Sequence, residues 1–308
     1  MKSYMRRCKE RAWAVSTRGL FWRRSFRRVA LRTLFSRHLS PTAIGFVDYG
    51  DHGFFVDPRD HMIGYSLLAG VGWQRSTFDR ALHVAGEAGA IRPGRWFIDV
   101  GANIGTHTVY AMRSGHFAGC IAIEPDPRNF ALLQRNIAHN GLTGQVRAFQ
   151  MAASSGDGTT LLVCDEENHG AHHIASGSEC RPGRTEKVAT GTLDEIVRRV
   201  GIEPGDVGFV WIDVEGHEIE VLKGMAAIRS HGVPMVAEVN TNDVVQDRAL
   251  RALLAGDYAH SLALDAQSAG SAGRLAAWWS GQAHRRSDVM YYNRVAAPVP
   301  RLADTIGP

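Results

Sequence analysis

The sequence predicts an α/β fold, a mostly parallel sheet with helices on both faces. Three observations predict it. The apolar run Trp96-Phe97-Ile98 ends in Asp99, a small-residue turn runs from Gly101 to Gly105, a helical segment follows, and a second apolar run, Cys120 to Ile123, stops at Glu124. That is one strand–turn–helix–strand unit of a parallel sheet. Gly208-Phe-Val-Trp-Ile-Asp213 is an unbroken apolar run, as suits a parallel strand covered on both faces. Further apolar runs, Val146 to Gln150 and Pro234 to Val239, are set apart from these by stretches of helical period.

Taken in order, the chain opens with 40 residues that carry 12 Lys/Arg and one acid, Glu10, for a charge of +11, while the remainder carries 23 basic and 30 acidic residues, for −7. The pI near 9.0 therefore belongs to the leader and is no evidence that the acidic body binds nucleic acid. Between residues 19 and 39, arginine pairs alternate with Phe21-Trp22, Phe26 and Leu34-Phe35, the pattern of an amphipathic basic helix. Peripheral contact with an anionic membrane, a targeting peptide, a partner contact and a solvated extension all remain open. Arg23-Arg24-Ser25-Phe26 resembles a twin-arginine signal, but Arg32 interrupts the apolar stretch such a signal needs.

From Pro41 to Trp73 short apolar runs suggest a β-rich segment, with Met62-Ile-Gly-Tyr among its strands. It is placed to be a lid or acceptor-pocket wall, or an edge hairpin that only covers the sheet. Thr77 to Ala90 reads as a helix stopped by Gly89 and Pro93-Gly94, and Pro127 to Asn140 as another stopped at Asn140-Gly141. Residues 159–190 read as an insertion, strand-like to Cys164 and loop-like from Glu166 to Arg184. Thr192 to Val200 is a short helix with Thr192 as N-cap and Glu195 completing a capping box. A helix through Glu220, Val221, Leu222, Met225 and Ile228 follows the fourth strand, and one from Val244 to Leu254 follows the fifth. Strands at Tyr258–Leu264 and Asp288–Asn293 bring the sheet to seven.

The glycine turn selects the ligand. An acidic residue ending the second strand, about 20 residues after the turn, is placed for the two hydroxyls of a ribose. A dinucleotide fingerprint needs a middle glycine where this chain has Asn103, and a third where it has Thr106, so a pyrophosphate is disfavoured. The turn still leads to a helix N-terminus whose N–H groups near residues 103–106 suit a carboxylate. One ribose, an adenine and an amino-acid carboxylate describe S-adenosylmethionine. Asp99, Gly101, Asn103, Gly105 and Glu124 are its candidate binding residues, with Met151 and Ala152, at the end of the third strand, beside the adenine.

Asp99-Val-Gly-Ala-Asn-Ile-Gly105, Glu124-Pro-Asp-Pro127 and Ile212-Asp-Val-Glu-Gly-His-Glu218, in that order, resemble the FkbM-type S-adenosylmethionine-dependent methyltransferases. The resemblance runs from about Gly45 to Arg294. It implies a class I methyltransferase fold, Rossmann-like and mostly parallel, and methyl transfer to oxygen, often of a sugar or natural-product hydroxyl. The expected organisation is a basic leader at 1–44, the methyltransferase domain at 45–296 and a tail at 297–308. The protein is expected in the cytoplasm of a bacterium, with the leader allowing contact at the inner membrane.

Methyl transfer to oxygen needs an oriented acceptor hydroxyl, a path for its proton and exclusion of water. Asp213 and Glu215, two carboxylates at the end of the fourth strand, are candidates to orient or deprotonate it, and His217 is a second candidate base. The bland alternative makes Asp213 a helix cap. Glu238 and Asn240 with Asp213 offer oxygen ligands for Mg²⁺, by analogy with other class I enzymes, but metal-free hydrogen bonding is preferred. His169, His172 and His173 lack a diagnostic metal spacing, and the four cysteines, Cys8, Cys120, Cys164 and Cys180, lack metal-ligand or redox pairing. The acceptor is thus a small molecule, glycan or glycolipid. Two other functions stay open: an RNA methyltransferase delivered by the leader, and a non-catalytic membrane-associated module that keeps the cofactor fold.

Overall fold

A computed structural model describes residues 40, 42–164, 172–174, 184–240, 243–264 and 286–293. The basic leader, His169 and the tail lie outside the described residues. Strands β1 (Gly45–Asp48) and β2 (Gly53–Val56) form an antiparallel hairpin, followed by α1 (Ile63–Leu68) and α2 (Arg75–Glu87). The predicted unit comes next: β3 (Arg95–Val100), α3 (Thr106–Arg113), β4 (Phe117–Ile123), α4 (Pro127–His139) and β5 (Val146–Phe149). A second, small sheet follows, made of β6 (Ala152–Ala153), β7 (Gly158–Cys164), β8 (His173–Ile174) and β9 (Arg184–Gly191). Then come α5 (Leu193–Arg199), β10 (Val207–Ile212), α6 (Glu218–Lys223), α7 (Ala226–Ser230), β11 (Met235–Asn240), α8 (Val244–Leu254), β12 (His260–Ala263) and β13 (Arg286–Tyr292).

The main sheet has seven strands in the order β5-β4-β3-β10-β11-β13-β12. β5 through β11 pair in parallel, and β13 runs antiparallel to both its neighbours. Strand order reverses at β3, since β4 and β5 lie on one side and β10 and β11 on the other. The crevice at the carboxyl ends of β3 and β10 is where such sheets bind ligands. Alternate residues of one strand feed two cores: Phe97 packs with Phe78, Phe117 and Phe209 on one face, while Ile98 joins Leu193, Val221 and Ile228 on the other. β10 is buried at all six positions, which is why it reads as a continuous apolar run.

Helix α4 also holds the hairpin. Asn136 accepts from the Phe55 amide (2.6 Å) and donates to the Phe55 carbonyl (3.1 Å); Asn140 does the same with Gly53, at 3.1 and 2.8 Å. Residues four apart on a helix and two apart on a strand are both spaced about 6 to 6.6 Å, so two side-chain amides replace a neighbouring strand. Asn136 donates to the Ile104 carbonyl as well (2.8 Å), tying the hairpin to the glycine turn.

Three local expectations are corrected. Met62–Tyr65 is not strand but the start of α1, because Asp60 accepts from the Met62 and Gly64 amides (3.1 and 2.7 Å) and turns the chain into a helix. The helix expected through Ile228 breaks in two at Gly224, whose added Cβ would lie 2.0 Å from the Ser154 carbonyl oxygen. Asp194 then takes the Ala227 and Ile228 amides at 2.8 and 3.1 Å, starting α7. The stretch expected as loop from Glu166 to Arg184 holds a short strand, β8, paired with β7 through His173 and Ile174, and the polar residues after it, unassigned from sequence, form β9 against β7. Thr192 does cap α5, accepting from the Glu195 amide at 3.2 Å.

Candidate active site

The carboxyl ends of β3 and β10 meet at Gly101. Its φ is +79°, and a Cβ there would stand 1.9 Å from the Asp213 carbonyl oxygen. Only glycine lets these two strand ends abut. The amides of Gly101 and Ala102 both donate to the Ile123 carbonyl, at 2.9 and 3.0 Å, so β4 is fastened to the same turn.

Glu124 follows directly. Its two oxygens accept separately, Oε2 from the Asn103 amide and Oε1 from the Asp126 amide, both at 2.8 Å. The carboxyl is 4% exposed, and burial pushes its pKa up to about 8 against the opposing pull of these amides. Asn103 adopts a left-handed φ of 51°, and its side chain accepts from the Ile104 amide at 2.8 Å, while the Gly105 amide donates to the Ala102 carbonyl at 2.7 Å. Of the N–H groups expected at residues 103–106 to receive a carboxylate, those of Asn103, Ile104 and Gly105 already have partners within the protein. Of these, only the Asn103 amide holds the Glu124 carboxyl.

Across the cleft, Asp213 and Glu215 follow β10. Burial raises the Asp213 carboxyl well above the usual carboxylate range, and the charges of Glu238, Glu215, Asp288 and Glu218 push the same way. Ligand oxygens of Asp213, Glu215 and Glu238 lie within 4.8 Å of one another. Glu215 has a φ of 53°, followed by Gly216 at 104°. Of three non-glycine residues with positive φ among the described residues, Asn103 and Glu215 both line this cleft, as strained backbone at a ligand site does. His217 Nε2 lies 3.0 Å from Ser154 Oγ, and burial lowers its pKa, so the ring is neutral near pH 7. The N-cap of α6 is His217, so Asp213 does not serve as that helix's cap.

Gly101, Asn103, Glu124, Met151, Ala152, Asp213, Glu215 and His217 thus share one cleft of ≈ 520 Å³, open mouth included. Two expected residues stand apart from its lining. Asp99 is fully buried, with Oδ2 accepting from Thr108 Oγ1 at 2.6 Å and Oδ1 lacking a partner among the described residues. Gly105 faces Leu133, 2.6 Å from an added Cβ, and sets the entry into α3. No residue of the β1–β2 hairpin lines this cleft, and Phe54 and Val56 are buried in the core against the sheet, as expected of a covering hairpin. Sequence reasoning missed Ser154, Asn129, Leu162 and Ile174, whereas His172, from a histidine-bearing stretch that the sequence suggests as a substrate-facing loop, does line the cleft. Ser154 lies just beyond Met151 and Ala152, whereas the wall of Leu162, His172 and Ile174 depends on the folding of the second sheet.

The domain described as "Methyltransferase FkbM domain" matches residues 99–260, from the buried Asp99 through β12's first residue. The chain belongs to the FkbM methyltransferase family. It is 33% identical over 152 residues to the hexuronic acid methyltransferase AglP of Haloferax volcanii, covering 48% of this chain and 59% of that protein. It is 29% identical over 157 residues to the methyltransferase sdnD of Sordaria araneosa, covering 42% and 60%. The aligned regions thus span about 60% of the curated relatives' length. Among solved structures, the methyltransferase FkbM of Methylobacillus flagellatus has a TM-score of 0.42 at 14% identity, over 86% of this chain and 59% of that one. The motif order seen in the sequence, with Asp99, Glu124 and Asp213 in successive strand ends, lies inside the matched region. Among the described residues no helix is long and apolar enough to cross a membrane.

Proposed function

We propose that this FkbM-family chain is an S-adenosylmethionine-dependent O-methyltransferase acting on a hydroxyl of a saccharide, glycolipid or secondary metabolite. One observation carries the reading: the amide-clamped Glu124 and the Asp213–Glu215–His217 turn face one cleft at the strand switch point. The residues fit the cofactor. Glu124 spends one lone pair of each oxygen on an amide and keeps others for the two ribose hydroxyls. Met151 and Ala152 offer an apolar face for the adenine. When bound, S-adenosylmethionine supplies the electrophilic methyl group.

The protein's part is to hold the acceptor hydroxyl and take its proton. Asp213, made basic by burial among like charges, and neutral His217, positioned by Ser154, are the two candidate bases. Glu215 orients the hydroxyl. Hydrogen bonding by these groups suffices without a metal ion. A saccharide acceptor is supported by the relative named for hexuronic acid.

Calorimetric titration with S-adenosylhomocysteine tests the cofactor reading. Micromolar binding, about −8 kcal/mol, that weakens at least tenfold in Glu124→Ala supports it; no binding by well-folded wild type overturns it. With an acceptor found from a saccharide panel, Asp213→Asn should lower kcat by about 10²-fold while leaving S-adenosylhomocysteine affinity unchanged. The rise of kcat with pH should also lose its upper, Asp213-dependent limb. If kcat is unaffected, Asp213 is not the base.

A further inference from the structure

A second cluster of side chains adjoins the cleft wall, apart from the candidate bases Asp213 and His217. Asp126 caps α4, and its Oδ1 accepts from the Arg128 and Asn129 amides at 2.8 and 2.9 Å. Its other oxygen, Oδ2, is turned toward Cys164 Sγ at 3.6 Å and His172 Nε2 at 3.8 Å. The three ligand atoms lie within 4.8 Å of one another. All three side chains are buried, with Asp126 0% and Cys164 5% exposed and the His172 side chain 8%. These residues come from three elements, the start of α4, the end of β7 and the residue before β8, and the sequence shows no metal-binding spacing among them.

We propose that Asp126, Cys164 and His172 form a binding site for Zn²⁺ or a similar thiophilic transition-metal ion. Donor chemistry selects the ion. One thiolate, one imidazole and one carboxylate suit a borderline-soft cation that takes mixed S, N and O ligands, whereas Mg²⁺ and Ca²⁺ take oxygen. The spacing agrees. Tetrahedral bonds of about 2.3 Å to sulfur and 2.0 Å to oxygen put those two donors about 3.5 Å apart, and nitrogen and oxygen about 3.3 Å apart. The observed 3.6 and 3.8 Å lie within about half an ångström of these separations, and sulfur and nitrogen are within 4.8 Å of each other. Asp126 is held by the helix amides it caps, so one ligand is already oriented by its other hydrogen bonds.

The place gives the ion a role. His172 lines the cofactor cleft and Asp126 stands two residues after Glu124, whose carboxyl it also orients through its amide. An ion here ties the second sheet to the strand–helix junction that carries Glu124. It braces the cleft wall and takes no part in the chemistry.

The test uses the full, untagged chain, stripped with a chelator and titrated with Co²⁺ as a spectroscopic probe for Zn²⁺. One equivalent should bind, with the visible bands of a tetrahedral site and a thiolate-to-cobalt charge-transfer band, and Zn²⁺ should displace it. Cys164→Ser should abolish the charge-transfer band, while Cys120→Ser and Cys180→Ser should keep it. Asp126→Asn retains the helix cap, since Asn and Asp cap equally well, and should weaken metal binding at least tenfold in a protein that still folds. Circular dichroism and S-adenosylhomocysteine binding report the fold independently of the metal. Failure of a well-folded wild type to take up Co²⁺ or Zn²⁺, or a charge-transfer band that survives Cys164→Ser, overturns the proposal and leaves a buried thiol–carboxylate hydrogen bond.

Discussion

Asp99→Asn should make the protein more stable in alkali, and the size of the effect follows from where the carboxyl sits. Asp99 is fully buried, and burial pushes its pKa up to about 7 from 3.8 in spite of the Thr108 hydrogen bond. The folded protein therefore holds a proton at pH 5 that the unfolded chain has mostly released. As a raised folded pKa requires, this stabilisation is complete below pH 4 and is lost as pH rises to about 7. Roughly three units at about 1.4 kcal/mol each give about 4 kcal/mol in all. Asparagine does not titrate and keeps an oxygen for Thr108, but its amide N–H₂ meets the position where Oδ1 has no partner, a cost of about 1–3 kcal/mol at every pH. The variant should gain about 1–3 kcal/mol over wild type at pH 8, and that advantage should shrink by about 3 kcal/mol at pH 5. Urea unfolding of both proteins at the two pH values measures it, since all other titrating groups cancel in the difference. An advantage that does not change with pH would refute the argument. S-adenosylhomocysteine affinity serves as a second readout: because Asp99 contributes nothing to the cleft lining, it should change by less than about threefold, well under 1 kcal/mol.

The remaining predictions concern the turn, the ribose carboxyl and a cap. Gly94 and Gly101 have nearly the same φ, +76° and +79°, but an added Cβ meets nothing within 4 Å at Gly94 and a backbone oxygen at 1.9 Å at Gly101. Gly94→Ala should cost about 1–2 kcal/mol and Gly101→Ala at least about 3 kcal/mol more; equal losses of Tm would show that the contact does not matter. Glu124 is protonated below about pH 8 and the two ribose hydroxyls favour its ionised form, so S-adenosylhomocysteine affinity should fall by up to about tenfold per pH unit below 8. Calorimetry at pH 6, 7 and 9 checks this, and a pH-independent wild type would exclude Glu124 as the ribose acceptor. Thr192→Ala removes the hydroxyl that accepts from the Glu195 amide and should destabilise by about 1 kcal/mol, read as a lowered urea midpoint with unchanged slope.

Legibility in the sequence tracked how local each signal was. The central parallel strands were visible because they are apolar runs largely buried on both faces, the edge strand β5 from Val146 and Phe149, and α4 because Pro127 and the Asn140-Gly141 stop bracket a clear period. Elements with one polar face or a distant partner were not. β9 has only Val188, Ala189 and Gly191 against polar neighbours and becomes a strand by pairing with β7. α1 alternates apolar residues as a strand does, and only the capture of its amides by Asp60 bends it into a helix.

The sequence by itself determined the chemistry available at each strand end: an acid near the end of β3 at Asp99, a glycine turn, an acid after β4, and the Asp-Val-Glu-Gly-His turn after β10. These are single-chain features, set by residue type and short spacing. Which of them face a ligand was decided by tertiary structure. Asp99 and Glu124 look equivalent in sequence, yet one is buried beneath the turn with Thr108 while the other is turned into the cleft by two amides. The same holds for Asp126, Cys164 and His172, whose donor atoms converge only because the second sheet folds back over the start of α4. Distances of a few ångströms between residues tens of positions apart depend on packing, and packing is a property of the whole fold.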